Sequence, residues 1–397
     1  MVEDPTRALV TTMRALHPGA EVKVVRGRRR DPAASAEYVV LPHQRAPKLL
    51  VPAAPARAAA GAVRRFSADA TYSDTVQRLA VAALAQGRGV SAFPDRVVVH
   101  GPRAGSLAAH LDDLLGTRVV FSVGIGTERV NRKPVLQVFG ADGRTVAFAK
   151  LGDSDQARAD VGAEAVALSQ LNRRGWRRLQ PPQVLHHGTW EGMELLLLSP
   201  LTTPMQSPRG HARAPTAAMT ELADAFGGGF SAVAGMRWMD RQHHTADKLA
   251  DSRRRGTLLA CIDRLCAAAG DLEWRTGSWH GDWTPWNMAR SGQRVLLWDW
   301  ERFETDVPIG LDRCHYLVNA LTRRRGTSDE TIRAGLAAAG ATPDTPGSPS
   351  HTLGALYLLA VAGRYLPLAE GPRGSDIAPR GDQVLETLSS WLGLTRS

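Results

Sequence analysis

The chain has 397 residues, 43% of them apolar, and a formal net charge of +10. That length supports two or three packed units with their own cores, and the composition is that of a globular protein rather than a disordered or repetitive one. No run of 18 apolar residues occurs, and the opening MVEDPTRALV lacks the basic and apolar regions of a secretory leader, so a cytoplasmic chain without membrane association is expected.

Residues 37–42 (EYVVLP) and 48–52 (KLLVP) read as short strands. Apolar residues at helical spacing predict helices over 56–66 and 74–86. RVVVH at 96–100 is a further strand and 106–115 a further helix. Together they make a mixed α/β N-terminal extension, residues 1–113, with no motif of its own. Up to residue 110 there are 16 basic against 8 acidic side chains, and RGRRR at 26–30 is the densest run. A solvated face and a surface for phosphate-bearing ligands or an acidic protein partner are both open for it.

From about residue 117 the pattern changes. TRVVFSVGIG, KPVLQVFG and TVAFAKLG are three strands in succession, and the Asp-Gly turn within 140–144 joins the second to the third. A helix follows at about 159–171, then two strands, PQVLHHGTW and MELLLLSPL, meeting at Glu191-Gly192. After Leu201 the remainder reads as helices and loops, with one short strand in RVLLWDW at 294–300. A small antiparallel sheet with one helix, followed by a larger helical region, is an α+β fold in two lobes, 114–201 and 202–397.

The strongest chemical signal is WHGDWTPWNMARSGQRVLLWDWERF at 279–303. His280-Gly281-Asp282 is followed by Asn287, and Asp299 comes after a short apolar strand. Phosphoryl transfer asks a protein for a base or orienter of the attacking hydroxyl and for hard oxygen ligands to Mg2+. One Asp, a nearby Asn and a second Asp supply that set.

HGDWTPWN followed by DWE resembles the catalytic loop and metal-binding strand of the aminoglycoside phosphotransferase and choline kinase family, which has the protein-kinase-like fold. The resemblance implies that Asp282 is the catalytic Asp, that His280 braces its loop, and that Asn287 and Asp299 are metal ligands. Gly281 stands where protein kinases carry Arg, which points towards small-molecule kinases. Upstream, Gly124 and Gly126 would approach the phosphates, although Arg129 occupies the place of a third glycine. Lys150, at the end of the third strand, would reach the α- and β-phosphates, and Glu164 on the next helix would hold it. Taken singly, such a Lys or Glu is also an ordinary surface charge, and the ordered set gives both their weight. Leu198, Ser199 and Leu201 fall in the hinge that would hold the base, where Pro200 cannot donate. Asp312 resembles the family's helix-borne Asp that stabilises the catalytic loop. The likeness spans about 117–320 and leaves the N-terminal extension unexplained.

The resemblance therefore implies an enzyme that uses ATP or GTP with Mg2+ to phosphorylate a hydroxyl of a small molecule, such as a sugar, an aminoglycoside-like compound or another metabolite. The near charge balance of the C-terminal half, with Arg clusters at 253–255 and 323–325, argues against a polycationic acceptor. Trp283 and Trp286 either pack in the core or stack on the acceptor. The doublets His186-His187 and His243-His244 lack partners at zinc spacing. Cys261, Cys266 and Cys314 fit neither a zinc site nor a disulfide framework and read as small buried hydrophobes. The alternative is a kinase-fold pseudoenzyme or binding partner in a peptide- or natural-product-tailoring system. The intact set of Lys150, Glu164, Asp282, Asn287 and Asp299 speaks against it. A nucleic-acid binder ranks last, because the basic segment has no interleaved aromatics.

Overall fold

The computed structural model describes residues 5–27, 29–65, 93–125, 134–201, 213–371 and 374–394. The helix expected over 74–86 and the candidate Gly126 lie outside the described residues. By internal contacts the chain divides into two compact units, Met1–Asn172 with Pro182–Thr202, and Arg173–Pro181 with Thr203–Ser397.

The first unit contains α1 (Pro5–Leu16), β1 (Glu21–Arg26), β2 (Ala36–Leu41), β3 (Leu49–Pro52), α2 (Ala56–Arg65), β4 (Asp95–His100) and α3 (Leu107–Leu115). It continues with β5 (Val120–Gly124), β6 (Val135–Phe139), β7 (Thr145–Gly152) and α4 (Asp155–Leu171). After β8 (Leu179–Gln180), which belongs to the second unit, come β9 (Val184–Trp190) and β10 (Met193–Leu198). Nine strands form one sheet in the order β1-β4-β2-β3-β5-β6-β7-β10-β9.

The first 113 residues and the strands that follow share this sheet. Leu49 and Leu50 of β3 pair antiparallel with Gly124 and Val123 of β5. The boundary expected at 113/114 is thus crossed by a strand pairing and by one core, which joins Leu9, Met13 and Tyr38 to Phe121, Leu136 and Leu195. The physical reason is legible in β3, where all four residues of LLVP are buried. A strand with no polar face needs cover on both faces, so it sits inside a larger sheet. Its second face is covered by α2, through Val51, Ala59 and Val63.

Both expected hairpins are present. Gly143 at φ +75 closes the β6–β7 turn, with the Gly140 N–H donating to the Arg144 carbonyl at 3.0 Å. Glu191 and Gly192, at φ +47 and +73, make the two-residue β9–β10 turn whose twist suits the strands. The basic run is partly tied down: Arg26 lies 3.8 Å from Asp95 and Arg30 3.4 Å from Glu37.

The second unit carries β8, α5 (Thr216–Ala225), β11 (Phe230–Ala232), α6 (Arg237–Asp247), α7 (Ser252–Ala269), β12 (Glu273–Trp279), β13 (Met288–Ser291), β14 (Arg294–Leu297), β15 (Glu304–Pro308), α8 (Leu311–Arg325), α9 (Asp329–Ala338), α10 (Pro349–Ala369) and α11 (Ala378–Trp391). Two three-stranded sheets, β11-β12-β15 and β13-β14-β8, flank the helices. The sequence reading anticipated only β14 of these strands. β12 (EWRTGSW) and β15 (ETDVP) are polar and short, and tertiary pairing rather than pattern makes them strands.

α10 is long and apolar enough by composition to cross a membrane, but most of it is buried in the second unit against α6, α7, α8 and α11. The Arg cluster at 253–255 is structural in part, since Arg254 makes two 2.8 Å bonds to Asp382 of α11. Cys261 and Cys314 are buried, Cys266 is half-buried, and all three are free.

Candidate active site

The HGD loop begins where β12 ends. Gly281 has φ +79, and a Cβ there would lie 2.2 Å from the Arg302 carbonyl oxygen. Glycine is therefore required twice over, by backbone conformation and by the close crossing of the 3-10 turn Trp300–Arg302. Asp312, in the first turn of α8, anchors the loop from below. Its buried carboxylate accepts the His280 N–H at 2.8 Å and the Gly281 N–H at 3.2 Å. Burial pushes the Asp312 carboxyl up to about 7, against the opposing pull of those two amides. On the other side Arg364 of α10 donates to the Gly281 carbonyl at 2.6 Å and lies over the Trp279 ring.

His280 is wholly buried. Its Nδ1 accepts the Asp282 N–H at 3.1 Å, so the proton sits on Nε2, which faces the Trp298 carbonyl at 3.1 Å. Burial lowers the imidazole to about 4, which keeps it neutral in that tautomer. The ring rests on Trp300, with centroids 4.6 Å apart. Both ring nitrogens are thus engaged by backbone. These contacts suit the bracing role that the resemblance implies for it.

Asp282 is held at both carboxylate oxygens. The Asn287 Nδ2 donates to Oδ2 at 2.8 Å and to the Asp282 carbonyl at 3.0 Å, while His315 Nε2 lies 3.0 Å from Oδ1. The side chain is nevertheless 40% exposed, so the carboxylate can still meet a ligand. Burial works to raise its pKa. The hydrogen bond from His315, with the Arg364 guanidinium nearby, outweighs it and leaves the group below the usual aspartate range. Asn287 is fixed by its own N–H to Thr284 and by the Trp298 N–H donating to its carbonyl at 3.1 Å. Because Nδ2 is committed to Asp282, Oδ1 is the atom it can offer a cation. Asp299 follows β14 and Trp298, half-buried, in the left-handed conformation at φ +68, ψ +59. Non-glycine residues held there cluster at functional sites. Among the described residues, no three His, Cys, Asp or Glu side chains gather as a metal cluster.

In the first unit, Lys150 of β7 and Glu164 of α4 form an ion pair at 2.6 Å, with side-chain exposures of 8% and 1%. The strand alternates, with Ala147, Ala149 and Leu151 in the core and Lys150 on the opposite face. Ser154 caps α4 by accepting the Ala157 N–H. Gly152 lets the helix start close by, since a Cβ there would lie 2.7 Å from Ala157 backbone. Gly124 ends β5 in register with Val135. Leu198 is paired within the sheet and Leu201 is buried. Ser199 is closed on Gln183 in both directions, its N–H donating to the Gln183 carbonyl and its hydroxyl accepting the Gln183 N–H. That N–H is therefore spent within the chain.

No family model matches the chain. No curated protein matches it either. Among solved structures it is similar to a thermostable mutant of the aminoglycoside phosphotransferase APH(4)-Ia, at 16% identity and a TM-score of 0.46, covering 70% of this chain and 98% of that one. It is similar to choline kinase LicA from Streptococcus pneumoniae, at 15% identity and a TM-score of 0.41, covering 72% and 98%. It is also similar to a choline/ethanolamine kinase family protein from Mesorhizobium loti, at 14% identity and a TM-score of 0.38, covering 68% and 92%.

Two contacts of the loop were not anticipated from sequence. Arg364 lies 83 residues beyond its partner Gly281, on a helix whose apolar pattern gave no hint of a polar role. His315 had a faint signal, since it stands three residues after Asp312 on one helix and therefore shares its face. The tryptophans divide: Trp279, Trp283 and Trp300 are core, while Trp286 is half-buried with Arg323 over its ring at 4.9 Å.

Proposed function

We propose that the chain is a small-molecule kinase that transfers the γ-phosphoryl of a nucleoside triphosphate to an alcohol. The observation that carries the reading is the Asp282 carboxylate, partly exposed and held at both oxygens on a loop braced by His280 and Asp312. Such a group accepts a hydrogen bond from an acceptor hydroxyl and aims its oxygen at the phosphorus. As the new O–P bond forms and the bond to the β-phosphate oxygen breaks, the hydroxyl proton passes to Asp282 and then to solvent. Lys150, steadied by Glu164, is the group for the α- and β-phosphates. Asn287 and Asp299 offer hard oxygens that suit Mg2+, which when bound with the nucleotide would neutralise phosphate charge.

The reading is tested by incubating the chain with Mg-ATP or Mg-GTP and pooled hydroxylated metabolites, sugars, aminoglycosides and peptides. The expected result is a mass gain of one phosphoryl group on one class of acceptor, absent with Asp282→Asn. Nucleotide binding without transfer to any acceptor favours the pseudoenzyme instead. No binding of either nucleotide rejects both.

A further inference from the structure

α8 buries four polar side chains on one face: Asp312, His315, Asn319 and Thr322, spaced three, four and three apart. Such a stripe is costly unless each member finds a partner. Asp312 holds the loop amides. Asn319 donates to the His315 carbonyl at 2.8 Å and accepts from Arg380 of α11 at 2.9 Å, and the Thr322 hydroxyl donates to the Asn319 carbonyl. His315, 1% exposed, is the member aimed at Asp282.

An ionised carboxylate only accepts, so the proton facing Oδ1 must sit on His315 Nε2. That leaves Nδ1 as an acceptor, and the buried hydroxyl of Tyr357 on α10 lies 3.4 Å from it. The two contacts select one tautomer. An unrestrained aspartate turns broadly about its last torsion. Here His315 on Oδ1 and Asn287 on Oδ2 stop that rotation. Burial depresses the imidazole's basicity, against the opposing pull of the Asp282 carboxylate.

We propose that His315 is a positioning residue for the transfer reaction, fixing through Asp282 the direction from which the acceptor hydroxyl is held, and that Tyr357 fixes the His315 tautomer. This deepens the kinase reading above and rests on it.

The test uses the full chain and two readouts. The first is single-turnover hydrolysis of radiolabelled Mg-ATP by excess protein, with water as the acceptor. His315→Ala is expected to lower the rate about 100-fold and to leave the affinity for Mg-ATP within about two-fold. His315→Gln, whose side-chain amide can donate to the same oxygen, is expected to recover about ten-fold of that loss. The second readout is a nitrogen–proton correlation spectrum of histidine-labelled protein, which is expected to give a protonated Nε2 at His315 and a mixed tautomer in Tyr357→Phe. A wild-type rate in His315→Ala, a glutamine variant no better than alanine, or a protonated Nδ1 at His315 overturns this role alone. A wild-type chain that does not turn over Mg-ATP overturns the kinase reading and this role with it.

Discussion

Asp312→Ala removes one side chain and strands two buried donors, the N–H groups of His280 and Gly281. A buried donor left without an acceptor costs about 1–3 kcal/mol, so the two together set a loss of about 2–6 kcal/mol. Asp312→Asn keeps the shape and one carbonyl oxygen. One donor stays paired and the other meets an amide NH2, for about 1–3 kcal/mol. Urea unfolding followed by tryptophan emission measures this where it matters, because Trp190 is the one tryptophan of ten that lies in the first unit.

The pH dependence has a definite sign. Burial holds the folded Asp312 carboxyl up to about 7, whereas an unfolded aspartate titrates near about 4. Between those values the folded chain keeps a proton that the unfolded chain has released. The stability owed to Asp312 is therefore full below about pH 4 and is lost as pH rises through about 7. The penalty of Asp312→Asn should shrink over that window. A cost below about 1 kcal/mol for the alanine variant would refute the anchoring of the loop through this side chain, and a penalty that grows with pH would refute its raised carboxyl.

Asp282→Ala should cut phosphoryl transfer by about 10²–10⁴-fold while nucleotide still binds, as read by isothermal calorimetry beside a turnover assay; substantial turnover sinks its assignment. Asp299→Ala should abolish the gain in nucleotide affinity that Mg2+ provides over EDTA, and an unchanged gain argues against a ligand role. Gly281→Ala should lose about 1–3 kcal/mol from its left-handed backbone alone, and more because its Cβ would collide with the Arg302 carbonyl. A stable, fully active alanine variant contradicts the tight crossing.

Local chemistry carried far in the sequence, and long-range partnership did not. The hairpins at 140–144 and Glu191-Gly192 were legible because positive φ at a two-residue turn needs glycine or a small polar residue there. Lys150 and Glu164 were legible as a pair only through the resemblance, and the structure brings them to 2.6 Å. Asp312 was legible by resemblance, and the structure gives its means, two amide hydrogen bonds. His280 was legible as a brace by resemblance, and the structure gives its means, a backbone contact at each ring nitrogen. β12 and β15 were missed since polar residues become strands there through pairing with each other. The union of the N-terminal segment with the later strands depends on the β3–β5 pairing, between residues some 70 positions apart, which no local pattern encodes.

The most direct test is a crystal structure of the chain with Mg2+ and a non-hydrolysable ATP analogue. The expected complex has the α- and β-phosphates on Lys150, the metal on Asn287 Oδ1 and the Asp299 carboxylate, and the γ-phosphoryl facing Asp282. Phosphates bound away from Lys150, or a metal that ignores both Asn287 and Asp299, would contradict phosphoryl transfer by these residues.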